Sequence, residues 1–239
     1  MIRNIASRFQ INSSRRYLDE FVKQAARSIS STALVLDAGA GDCPYKHHFA
    51  HARYESADLC KVDKDYGEIT YKCDLTEIPV EDDRYDLVLL NQVIEHVPEP
   101  KSVLREMYRV LKPGGELWLS APLFYEEHEV PYDFYRYTRY GFTYLLKSTG
   151  FTIKRIEWLE GYYGTLSYQL NVAARALQVN PQCYGGGLRG WLSAMTVFLI
   201  RPLFVLGSLM FSRLDLNNKY VSSGHCKNYA VVSVKTAQG

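Results

Sequence analysis

The sequence predicts an α/β fold, an open and mostly parallel sheet with helices on both faces. Three observations carry that expectation. Short apolar runs of strand length alternate with helical periodicities through the first two thirds of the chain. The first run turns at once into a glycine loop, LVLDAGAGDCPYK, from Leu34 to Lys46. Successive runs close on Asp37, Asp58, Asp74 and Asn91, which lines polar groups along one sheet edge.

The elements follow in order. Residues 14–29 carry Leu18, Phe21, Val22, Ala25 and Ile29 at helical spacing. A strand from Ala33 to Asp37 leads through the loop into a helix near Tyr45 to Ala50. Strands Arg53 to Leu59 and Ile69 to Cys73 come next, and Tyr85 to Leu90 is apolar apart from Asp86, as a central strand covered on both faces should be. An amphipathic helix from Lys101 to Leu111 is expected to stop at Lys112-Pro113-Gly114-Gly115. Glu116 to Ala121 is a fifth strand, Thr138 caps a helix ending at Gly150, and Phe151 to Trp158 is a sixth strand. The last strand, Tyr229 to Lys235, lies far off, so the sheet domain is assigned to 1–158 plus 227–239 and a largely helical insertion to 159–226.

Composition sets the frame. The hydrophobic share of 47% supports a packed core, and the net charge of +2 with mixed signs gives no support for nucleic-acid binding. Tyrosine stands out at 19 residues, suiting a cavity, an interface or a membrane boundary. Cys43, Cys60, Cys73, Cys183 and Cys226 form no CxxC pair and no His stands at metal-ligand spacing, so no metal site is expected. MIRNIASRFQ has no apolar leader core; a reducing, cytoplasmic setting is expected.

The glycine loop points to a ligand type. Gly39 and Gly41 suit a tight turn and close backbone approach. Asp37 at the strand end repels a pyrophosphate but attracts an ammonium. S-adenosylmethionine carries an ammonium and a sulfonium and no phosphate, so the loop favours it over NAD or ATP. Asp58, about 20 residues past Asp37, is placed to accept ribose hydroxyls. Asp74 is placed to accept from an adenine amine, with the Leu75 backbone beside it.

With VLDAGAGDCPY, Asp58, CDLTEIP, YDLVLLNQVIEHV and SVLREMYRVLKPGGELWLSAP, the chain resembles the class I S-adenosylmethionine-dependent methyltransferases of the methyltransferase type 11 group. The resemblance implies a Rossmann-like seven-stranded sheet whose last strand is antiparallel and inserts between the fifth and sixth. It implies that Asp37, Gly39 and Gly41 border the methionine part, Asp58 the ribose and Asp74 the adenine, with Leu59, Leu75, Asn91 and Gln92 as further cofactor-binding residues. Cys43 stands where such loops commonly have a third glycine, and Pro44 after it is tolerated in a first helical turn.

Methyl transfer to a hydroxyl needs a base, and His96 and His128 are the candidates. The alternative for His96, with Glu95, is to brace the cofactor wall. The segment after the fifth strand also holds Tyr132, Asp133, Tyr135, Arg136 and Tyr137, either acceptor contacts or a loop salt bridge over packed rings. Its H-x-x-P-x-D-F-x-R-Y-T pattern, His128 to Thr138, resembles a subgroup found among glycan-assembly genes, which implies a sugar-type acceptor.

Residues 191–211, WLSAMTVFLIRPLFVLGSLMF, approach bilayer length, but Arg201-Pro202 sits at their centre. The favoured reading is a buried or interfacial helical hairpin; peripheral membrane contact, a true membrane span and a homodimer surface are the alternatives. The expected activity is O-methylation of a small-molecule or glycan-like acceptor. Its rivals are N- or C-methylation of a natural product or quinone-like lipid, and an inactive cofactor-binding interaction protein.

Overall fold

The computed structural model describes residues 13–236. They divide into two compact units: Tyr17–Leu159 with the segment from Asn228 onward, and Glu160–Lys227 with the residues up to Arg16. The first residues of helix α1 (Ser13–Arg27) thus group with the insertion, whereas the sequence assigned them to the sheet domain.

The sheet unit contains β1 (Leu34–Ala38), β2 (Arg53–Asp58), β3 (Tyr71–Lys72), β4 (Tyr85–Asn91), α2 (Pro100–Val110), β5 (Leu111–Pro122), α3 (Arg139–Ser148), β6 (Phe151–Trp158) and β7 (Asn228–Lys235). The seven strands run in the order β3-β2-β1-β4-β5-β7-β6. All pairings are parallel except those of β7, which is antiparallel to both β5 and β6. Every residue of β1 is buried, as are Leu87 to Leu90 of β4, which explains the apolar runs Leu34 to Leu36 and Leu87 to Leu90. From α1, Leu18, Phe21, Val22 and Ala25 join the core, and the Phe21 ring lies 4.8 Å from Trp118 of β5. The order of strands reverses between β1 and β4, so a ligand crevice is expected at their carboxyl ends.

Three expectations are corrected in this unit. The helix near Tyr45 is a single 3-10 turn, Lys46–Phe49. Cys43 takes a positive φ of 54° and Pro44 follows, leaving too little chain before β2 for an α-helix. The third strand pairs over only two residues. Above them Thr70 and Ser56 exchange side-chain bonds, Thr70 N donating to Ser56 Oγ at 3.0 Å and Ser56 N to Thr70 Oγ1 at 3.1 Å, in place of the ladder. Lys112 to Gly115 do not separate helix from strand: α2 ends at Val110 and β5 begins at once. Tyr85 pairs with Leu111 and Leu87 with Glu116, so the Pro-Gly-Gly run is absorbed as a bulge with Gly114 at φ +84°.

The insertion unit is helical. Helices α4 (Tyr162–Ala176) and α5 (Gly187–Asn217) pack together, joined through the 3-10 turn Pro181–Tyr184. Ser167 Oγ donates to the Ser208 carbonyl at 2.8 Å and Ser208 Oγ to the Ser167 carbonyl at 2.9 Å, a reciprocal pair that brings the helices close. A hairpin broken at Arg201-Pro202 is not what forms. α5 runs through Pro202 as one helix of 31 residues. The carbonyl that loses its partner belongs to Phe198, on a stretch open to water, where the loss is least costly.

Candidate active site

At the end of β1, Gly39 and Gly41 take positive φ values of +77° and +57°. A Cβ on Gly39 would stand 2.3 Å from a Val93 methyl, so only glycine fits there. The Gly41 N–H donates to Asp58 Oδ2 at 2.9 Å, and Cys60 N–H to Asp58 Oδ1 at 2.8 Å. These bonds aim the carboxylate at the end of β2 and leave lone pairs for a ligand. Asp74 is oriented likewise, its Oδ1 accepting from Thr76 N–H at 2.9 Å and Thr76 Oγ1 at 2.8 Å.

A cavity of about 420 Å³ lies over this edge, bordered by Gly39, Asp58, Leu59, Asp74, Leu75 and Gln92. That volume falls in the usual range for small-ligand sites. Val93, Val97, Val103 and Phe134 give it apolar walls, while Glu99 and Glu129 add further carboxylates. Its two lysines are engaged: Lys64 pairs with Glu129 at 3.0 Å, and Lys61 lies 4.4 Å over the Tyr132 ring. An aromatic base with a hydroxylated sugar and a cationic tail fits this lining; a polyphosphate does not. The residues present therefore fit S-adenosylmethionine, and Asp58, Leu59, Asp74 and Leu75 are the groups that would hold its nucleoside part.

Asp37 lies beneath the loop and does not border the cavity. It is 3% exposed, and Tyr54 OH donates to its Oδ2 at 2.6 Å. Burial raises its carboxyl from 3.8 to about 6, against the pull of that bond. Asn91 is also off the cavity, its Oδ1 accepting from Ser120 Oγ at 2.9 Å. Gln92 takes a positive φ of 56° and its Nε2 donates to Ser120 Oγ at 3.2 Å.

The 3-10 turn Ile94–His96 after β4 carries two titratable groups, Glu95 and His96. His96 borders the cavity, and its Nδ1 sits 2.6 Å from the Tyr132 carbonyl. A carbonyl only accepts, so Nδ1 carries the proton and Nε2 a lone pair. Burial lowers the His96 pKa, which favours the neutral ring. Glu95 is fully buried, and neither carboxyl oxygen has a hydrogen-bond partner. Desolvation pushes its pKa up to about 8. The His128 ring stands edge-on to His96, centroids 4.6 Å apart.

The segment after β5 is fixed to this turn. Phe134 N–H donates to the Glu95 carbonyl at 2.9 Å and Tyr137 OH to the Ile94 carbonyl at 2.9 Å. Asp133 accepts both arms of Arg136, at 2.6 and 2.7 Å, and the His128 N–H at 2.9 Å. Arg136 holds the Asp133 carboxyl well below the usual range. Of the acceptor candidates, only Tyr132 borders the cavity. Asp133 and Arg136 brace the loop, Tyr137 stacks on Phe142 in the core, and Tyr135 OH donates to the Pro98 carbonyl. Sequence reasoning passed over Lys61, Val62, Lys64 and Tyr66 in the β2–β3 loop, and Glu129. Only their position after a strand end pointed to them.

Fold and site together define a Rossmann-like sheet with a nucleoside-type cavity at its switch point. Residues 36–119 match the family described as methyltransferase domain. The ubiquinone biosynthesis O-methyltransferase of Pseudomonas entomophila is 41% identical over 60 residues, 25% of each chain, so the similarity spans a quarter of that relative's length. Among solved structures, the [4+2]-cyclase SpnF is similar at a TM-score of 0.57 and 16% identity, over 92% of this chain and 82% of that one. The 1,6-didemethyltoxoflavin-N1-methyltransferase of Burkholderia thailandensis, with S-adenosylhomocysteine bound, is similar at a TM-score of 0.51 and 17% identity, over 90% and 79%. The fold is thus that of the Rossmann-like methyltransferases.

Proposed function

We propose that this chain is an S-adenosylmethionine-dependent methyltransferase acting on an oxygen of a small-molecule acceptor, glycan-like acceptors included. The methyltransferase-domain match supports the reaction class, as does a structural neighbour holding S-adenosylhomocysteine. The cyclase neighbour is a reminder that the fold alone fixes no reaction. Bound in the cavity, the cofactor supplies a methyl group on a positively charged sulfur. Asp58 and Asp74 orient it, and the apolar walls exclude water from the transfer line.

One observation carries the choice of oxygen. The buried Glu95 carboxyl and the His96–His128 pair gather beside the cavity that His96 borders, which we take as the acceptor side, and an amine would need no such groups. His96 Nε2, its lone pair set by the Tyr132 carbonyl, takes the hydroxyl proton as the methyl arrives. The ubiquinone-pathway relative methylates an oxygen by its name, which agrees with this reading. The test offers catechols, sugars and amines together with methyl-labelled cofactor. The expected result is label on hydroxyl compounds, with turnover lowered about 100-fold or more by His96→Ala combined with His128→Ala. Label on amines alone, at a rate the double change leaves intact, favours N-methylation instead.

A second proposal concerns α5. Leu188, Leu192, Met195, Leu199, Leu203, Leu206 and Met210 form one exposed stripe at helical spacing. Exposed Arg189, Arg201 and Arg213 accompany it, and Asp215, the helix's one acid, is buried. By length and composition α5 is able to cross a membrane, its most apolar 18-residue stretch having a mean hydropathy of 1.9. We favour a peripheral position in the interface of an anionic bilayer, since Arg201, midway along the helix, would lie among headgroups there and within the hydrocarbon if the helix crossed.

A further inference from the structure

We propose that Glu95, His96 and His128 form a binding site for one divalent transition-metal cation beside the cavity that His96 borders. One ligand atom from each residue lies within 4.8 Å of the other two. Glu95 Oε1 stands 3.8 Å from His96 Nε2. Ligand atoms around a tetrahedral zinc lie ~3.4 Å apart, so a small closure seats the ion.

The hydrogen-bond pattern is what singles out this cluster. His96 Nδ1 donates to the Tyr132 carbonyl, so Nε2 offers only a lone pair toward Glu95. On His128, Nδ1 faces the Glu126 carbonyl at 3.2 Å and Asp133 Oδ2 at 3.4 Å. Two acceptors there hold the proton on Nδ1 and leave the Nε2 lone pair free. Glu95 adds two carboxyl oxygens that are fully buried and bonded to nothing. Once Glu95 gives up its proton, three acceptors stand within 4.8 Å of one another, and a cation that displaces that proton satisfies all three. Both histidines also have the outer partners that orient metal-bound imidazoles.

Another cluster of the same composition lacks this property. His48 Nε2 already touches Asp19 Oδ1 at 2.6 Å, and Lys23 takes the second Asp19 oxygen at 2.6 Å. A proton joins that histidine to the acid, and no ion is called for.

Two imidazoles and one carboxylate suit zinc, cobalt, manganese or ferrous iron better than calcium or magnesium. The spacing of His and Cys along the chain gives no hint of this site, because His128 arrives from the loop after β5. Cation binding itself does not require the methyl-transfer reading. Its consequence for chemistry does rest on that reading: a bound acceptor hydroxyl would lose its proton to solvent readily, and the histidines would act as ligands rather than as the base.

The test uses the full chain without an affinity tag, stripped with a chelator and titrated with cobalt(II), followed by visible absorption. One equivalent should bind with the intense bands of low coordination number. Glu95→Gln and His128→Ala should each weaken uptake by more than the ~10–100-fold that a supporting group costs. His48→Ala should leave it unchanged. Calorimetry with S-adenosylmethionine on the same variants reports the fold and the cofactor reading separately. If Glu95→Gln does not fold, the half-buried His128 decides alone. Absence of stoichiometric cobalt uptake by the wild type, or uptake indifferent to these substitutions, overturns the proposal.

Discussion

Asp37 shows how a site residue costs stability. Its carboxyl titrates near 6 in the folded chain and near 4 when unfolded, because burial disfavours the charge. A folded pKa raised in this way contributes fully below pH 4 and is lost as pH rises through 6. Asp37→Asn removes the titration while leaving Tyr54 an acceptor. Urea unfolding of ligand-free protein should therefore show the wild type losing on the order of 3 kcal/mol relative to the variant between pH 4 and pH 7.5. Parallel pH dependences for the two proteins would refute the assignment. The same residue marks a boundary of sequence reading. Its place after the first strand was legible, but its bond to Tyr54 and its burial beneath the loop were not, because they depend on β2 lying alongside β1. Glu95 is similar: the motif placed it beside His96, yet nothing in the chain order reveals a carboxyl with no partner.

Elements were easiest to read where periodicity and punctuation agree. Phe151–Trp158 is the strand its residues predicted, and Thr138 caps α3 by accepting from Gly141 N–H at 3.0 Å. Misreadings arose where side chains or glycines substitute for regular backbone pairing, as at Thr70 with Ser56 and in the Pro-Gly-Gly bulge of β5. The Thr138 cap carries a prediction at this scale. It fixes the point where the loop that includes His128 and Tyr132 enters α3. Thr138→Ala should lower stability by about 1 kcal/mol in thermal or chemical unfolding. It should also raise the acceptor KM more than the cofactor Kd, since Asp58, Asp74 and the Gly39 turn lie outside that loop. Unchanged unfolding would remove the cap from the account.

At the scale of the whole molecule, the chain combines a sheet unit bearing the cavity and a helical unit bearing the exposed apolar stripe of α5. Composition announced that stripe but left its neighbours open, since an apolar helix reads alike in a core, a dimer or a bilayer. Its exposure and its arginines favour the membrane surface. Sedimentation with vesicles of phosphatidylglycerol and phosphatidylcholine should retain the wild type, release it partly at high salt, and release Leu199→Glu with Leu203→Glu. A wild type that stays in solution and self-associates instead would make the stripe a dimer surface.

The central claim is that the cavity at the ends of β1 and β2 holds S-adenosylmethionine through Asp58 and the Gly39 turn. Isothermal calorimetry of the purified chain against S-adenosylmethionine and S-adenosylhomocysteine tests it most directly. The account predicts one site for each compound, with affinity falling at least about tenfold in Gly39→Ala, whose Cβ collides with Val93. No heat with either compound, or binding that Gly39→Ala leaves untouched, would contradict it.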